Sequence, residues 1–323
     1  MTTRGRAVCA KRLTKRTIWL APDEIDFSVT GTIALTSGEL EIEDTLSIVG
    51  PGSELLTVDA QQNSRVINFT ENEGDLTLFG LTITGGSDLG DISELGGSGI
   101  RFNSSSSLTI ENSTVTGNKT YRTSARGGGI YSSGNVVLYS SVVSGNETFG
   151  ESSGGGGVFA SGYVTLTNST VSNNSTLGRL ASAGGILATG SILNSSVISG
   201  NSTADDDAIG GGIVASRELS LFDSVVDGKT TITRNVTGIA EGVIHVFAPP
   251  DVISFSGLRV SNSIIASNVD ELGQADDLKQ DLGRKLQVNN SIIGATEIDV
   301  TGSDNQIGND YKPYRPPPRP PRR

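Results

Sequence analysis

The chain has 323 residues, 42 of them glycine, with 35% hydrophobic but only 5% aromatic residues, which argues against a globule around one bulky core. Val, Ile and Leu recur too regularly for a disordered chain. The formal net charge of −11 argues against nucleic acid or an anionic membrane as the main partner.

Residues 1–22 form a basic segment containing Arg4, Arg6, Lys11, Arg12, Lys15 and Arg16. It resembles the positive part of a signal peptide, but the apolar "TIWLA" that follows is too short to complete one. Cys9 is the single cysteine, so neither an intrachain disulfide nor a thiolate metal cluster can form. No apolar run approaches the length of about 18 residues that a transmembrane helix needs.

From residue 23 to residue 310 the chain keeps a beat. Similar segments end at Gly86, Asn118, Asn146, Asn174, Asn201, Lys229, Asn268 and Thr296, separated by 32, 28, 28, 27, 28, 39 and 28 residues. Ile100, Ile130, Val158, Ile186 and Ile213 each follow a glycine pair or near-pair. A third series runs "LTI", "VVL", "VTL", "LSL", "LRV" and "LQV", starting at residues 108, 136, 164, 219, 258 and 286. Such a period is a stacked repeat.

Three short alternating segments separated by Gly, Ser and Asn leave no room for a helix within about 28 residues, and read as three short strands per coil. Stacking one coil on the next gives parallel sheets without crossover helices. The expected fold is all-β: a single right-handed parallel β-helix of about 9–11 coils, roughly 45–50 Å long at one coil per ~4.8 Å. Val115, Val143, Val171, Ile198, Val226 and Ile265 form one inward column. Asn112, Ser140, Asn168, Asn194, Asp223, Asn262 and Asn290 form another, read as an asparagine ladder joining coil to coil. Within the 39-residue interval, "VFAPPDV" breaks the coil at Pro249 and Pro250. Residues 311–323 form a Pro/Arg-rich tail of polyproline character, expected to be disordered.

This pattern resembles bacterial parallel β-helix proteins of the pectin-lyase-like superfamily. Residues 23–60, "DEIDFSVTGTIALTSGELEIEDTLSIVGPGSELLTVDA", resemble the first coils of surface proteins with CSLREA and choice-of-anchor Q domains. "NSIIASN", "DDL" and "NNSIIG" within residues 262–294 resemble their last coils. Gly128-Gly129-Ile130 matches the "GG[AI]" motif of the related polymorphic outer-membrane proteins, whereas Val143 stands where their "FxxN" motif has Phe. The resemblance implies an extracellular or cell-surface stalk or adhesion segment of a larger envelope protein. Both ends depart from the family pattern, which implies a chain truncated or altered there.

The fold also hosts polysaccharide lyases and hydrolases, so a polysaccharide-active or glycan-binding module is the alternative. The outward row Glu111, Tyr139, Thr167, Phe222, Ser261 and Asn289 holds one carboxylate, too few for a calcium site. The only histidine, His245, lies in apolar "VIHVF" and reads as structural. Asp205, Asp206 and Asp207 are weak metal candidates in a loop, and no cofactor motif is present. No catalytic residues are assigned, and no enzyme is expected. The candidate binding edge is the stack of variable loops 119–126, 147–153, 175–183 and 202–209, which gathers Tyr121, Arg122, Arg126, Phe149 and Arg179. A glycan or another protein would suit it, and end-to-end self-association through the strand edges at the ends of the stack is also expected.

Overall fold

The computed structural model describes residues 23–89, 96–204 and 211–228. Beyond them it describes the strands Ile244–Val246, Gly257–Ser261, Ile264–Ile265, Lys279–Gln280, Leu286–Asn289, Ile292–Ile293, Val300–Thr301 and Gln306–Ile307. The segments 1–22 and 311–323, Asn262, Asn290, Asp205 to Asp207 and the Pro249-Pro250 interruption lie outside the described residues.

Each short strand pairs in parallel with its equivalent one coil away, building a 17-stranded and a 14-stranded sheet. The smaller sheet runs through eleven strands paired coil to coil, and about six turns with about 28 residues between them make up its regular part. A coil carries more than three strands. Between residues 130 and 148 the segments are Ile130–Ser132, Asn135–Tyr139, Val142–Ser144 and Glu147–Thr148. The first two belong to one sheet and are continuous in the next coil as Val158–Thr167.

The expected columns are in register. Val115, Val143, Val171 and Ile198 stack in that order with no exposed surface, and the pairing continues to Val226 and Ile265. Leu108, Val136, Val164, Ser191 and Leu219 form the parallel column of the larger sheet. β-Branched side chains suit such a stack because each fills a narrow interior in a restricted rotamer. Pairing resumes across the 39-residue interval, with Leu219 opposite Leu258.

The asparagine ladder is real, but it occupies a different column. Asn118, Asn146, Asn174 and Asn201 are fully buried. The Nδ2 of each of the first three donates to Oδ1 of the next at 2.9 Å. Asn112 and Asn168 instead sit exposed at a corner with φ of 47° and 50°. Their backbone N–H groups bond the carbonyls of Tyr139 and Asn194, so no side-chain amide is needed there. Asn and Asp tolerate this left-handed conformation better than other residues with a Cβ. Asn194 is not in that column at all: it pairs with Thr167, and Ser195 takes the corner with φ 49°.

Parity explains the shift. Simple alternation from Val115 would turn Asn118 outward. Gly117 with φ 67° and Gly145 with φ 62° bend the chain between them and bring the following asparagine inside. The glycine runs complete the arrangement. A Cβ on Gly129 would lie 2.8 Å from the carbonyl of Gly157 and 2.9 Å from the Asn146 amide carbon, so only a bare backbone packs on the ladder.

Candidate functional site

The loop edge grows out of the ladder. Directly after each buried asparagine a two-residue strand, Lys119–Thr120, Glu147–Thr148 or Ser175–Thr176, pairs with the next. Outward Lys119 therefore meets Glu147, Nζ to Oε2 at 2.9 Å. The hydrogen bond and the charge of Glu147 raise the Lys119 pKa above its ordinary value, against a smaller opposing desolvation. Both side chains are about a third exposed, so water and salt screen the pair.

Two residues on, Tyr121 and Phe149 stack with centroids 4.8 Å apart and planes 7° from parallel. The Lys119 ammonium lies 5.8 Å from the Phe149 centroid. Asp88, fully buried, receives the backbone N–H groups of Tyr121 at 2.6 Å and Arg122 at 3.4 Å. Arg122 Nε donates to the Asp88 carbonyl at 3.1 Å. The loops also bond each other, Phe149 N–H to Thr120 O and Ser152 N–H to Arg179 O.

The five residues expected at the edge thus divide. Tyr121, Phe149 and Arg122 lie together on the first two loops. Arg126 turns to a different group and covers the ring of Phe159 at 4.8 Å. Arg179 is exposed on the third loop.

A second polar and aromatic row lies beside this edge. Asn68, Arg101, Tyr131, Phe159 and Leu187 follow one another in register on the larger sheet. Tyr131 and Phe159 stack at 5.3 Å, and Arg101 lies 5.9 Å from the Tyr131 ring. At its upper end Arg101 donates to Asn68 Oδ1 at 3.3 Å, Asn68 donates to Glu39 at 2.8 Å, and buried Arg65 pairs with Glu39 at 3.2 Å. Asp88, Arg101, Tyr131 and Phe159 were not singled out by sequence reasoning. The signal for the aromatic pair was present: Tyr131 and Phe159 each follow the "GGG" turn by two residues, at the 28-residue beat.

Among the described residues no group of three or more His, Cys, Asp or Glu converges as a metal site, and no helix is long and apolar enough to cross a membrane. His245 lies on a strand paired with Val214.

No curated protein and no solved structure matches the chain. The family model for the right handed beta helix region matches residues 65–240, more than half of the chain. The paired coils and the inward columns are what that description requires, and the chain belongs to the right-handed β-helix family.

Proposed function

We propose that this chain is a non-catalytic, surface-exposed β-helix, a stiff stalk or adhesion segment of a larger envelope protein. Within its family we place it nearest the CSLREA and choice-of-anchor Q surface proteins, on the motifs at residues 23–60 and 262–294. The observation that supports this best is the commitment of polar groups to joining coils. The Asn118-to-Asn201 ladder, the Lys119–Glu147 pair and the Tyr121–Phe149 stack all link one coil to its neighbour. Side chains used this way stiffen a rod and present a regular edge.

The test is incubation of the purified chain with polygalacturonate, pectate and alginate, with and without calcium. No unsaturated or reducing-end products should appear, and calcium should leave the melting temperature unchanged. Calcium-dependent product formation would overturn the reading in favour of a polysaccharide lyase.

A further inference from the structure

On the outward face of the larger sheet, Glu111, Tyr139, Thr167, Asn194 and Phe222 follow one another in register. Tyr139 is 44% exposed and Phe222 38%, and among the described residues neither ring touches another aromatic or a cation. Tyr121, Phe149, Tyr131 and Phe159, by contrast, stack on one another between coils.

Tyr139 and Phe222 are three coil steps apart, about 14 Å at the usual strand spacing. Between them stand Thr167 and Asn194, half-buried, whose side chains make no hydrogen bond to the described residues. The corner row beside them, Ser140, Asn168 and Ser195, is exposed and uncharged. The result is a polar strip with an aromatic ring at each end.

A pyranose ring offers the matching surfaces: an apolar C–H face for an aromatic ring and hydroxyls for amide and hydroxyl partners. An extended sugar chain of about three hexose units would span the two rings. Charge selects the class of sugar. The ionisable groups of the two rows, apart from the tyrosine hydroxyl, are the carboxylates of Glu111 and Asp223, on a chain of net charge −11, so a polyuronate would be repelled.

We propose that Tyr139, Thr167, Asn194 and Phe222 form a binding strip for a neutral polysaccharide chain lying along the solenoid axis. This rests on the reading of the protein as a passive surface solenoid and names what that surface holds.

Affinity electrophoresis of the full chain through gels containing xylan, hydroxyethyl cellulose or polygalacturonate tests it. The protein should be retarded by at least one neutral polymer and not by polygalacturonate. Tyr139→Ala and Phe222→Ala should each weaken retardation about tenfold. Their melting temperatures should fall only modestly, because neither side chain belongs to the buried core. Free migration of the parent in both neutral gels would overturn the proposal. So would retardation by polygalacturonate, an unaffected double variant, or a loss produced by Tyr121→Ala and Phe149→Ala instead. Retardation is read without turnover, so failure here is distinct from the appearance of cleavage products that would overturn the passive reading.

Discussion

Asn146 Nδ2 donates to Asn174 Oδ1 at 2.9 Å, and the backbone N–H of Asn146 donates to the same oxygen at 3.0 Å. The second amide donor bond of Asn146 goes back one coil, to the Val115 carbonyl at 3.0 Å. Its Oδ1 accepts from the Asn118 backbone at 3.1 Å and from Asn118 Nδ2 at 2.9 Å. One side chain therefore satisfies groups on the coil above and the coil below, and a carboxylate of the same size cannot replace it because it has no donor.

Asn146→Ala should destabilise by about 3 kcal/mol, since it leaves buried donors and a buried carbonyl unpaired. Asn146→Asp should cost at least as much, adding a buried charge. The exposed corner residue is the control: Asn112→Ala should cost only about 1 kcal/mol, for the left-handed backbone. Urea melts of the three variants decide it. Equal losses at Asn112 and Asn146 would put the ladder in the wrong column.

That comparison marks where sequence reasoning reached and stopped. The 28-residue beat, the parallel pairing and the Val115–Val143–Val171–Ile198 column were all readable, because period and burial leave a direct trace in residue type. Two asparagine columns share the beat, however, and choosing the inward one requires the left-handed turns at Gly117 and Gly145. The deletion that makes one coil 27 residues long hid Ser195 behind Asn194. At the loop edge, residue types were right but their pairing was not visible. Arg126 reaches Phe159 and Arg122 reaches Asp88, side-chain contacts whose sequence separations fall off the 28-residue beat.

Val143 lies between Val115 and Val171 with no exposed surface. Val143→Asp would bury a carboxylate in an aliphatic column with no partner, at a cost of several kcal/mol, about 4 or more. Circular dichroism on heating should record a large drop in melting temperature. An unchanged melt would remove this column from the core.

Two substitutions should stabilise. Ser191 stands between Val164 and Leu219 in an otherwise aliphatic column, fully buried, and its hydroxyl has no hydrogen-bond partner among the described residues. Thr148 is likewise buried, with no partner for Oγ1 among the described residues. Removing an unpaired buried hydroxyl while keeping or adding carbon should gain about 1 kcal/mol at each site in Ser191→Val and Thr148→Val. Differential scanning calorimetry gives the sign. A loss at Thr148→Val would mean that the hydroxyl is hydrogen-bonded in solution.

The Lys119–Glu147 pair makes a prediction in pH. Glu147 raises the Lys119 pKa above its ordinary value of 10.5, so the folded chain holds that proton more tightly than the unfolded one. The resulting stabilisation is fully present below pH 10.5 and is lost as pH rises through the raised value. With both side chains about a third exposed, it should amount to less than about 1 kcal/mol. Glu147→Gln should therefore lower stability slightly at pH 8, less so in high salt, and the difference from the parent should vanish above the Lys119 titration. Urea melts of the two proteins at pH 8 and at a series of pH values rising from 10.5 measure this directly. A difference that persists or grows at the higher pH would mean that Glu147 stabilises the loop through packing or backbone contacts, and not through the charge of Lys119.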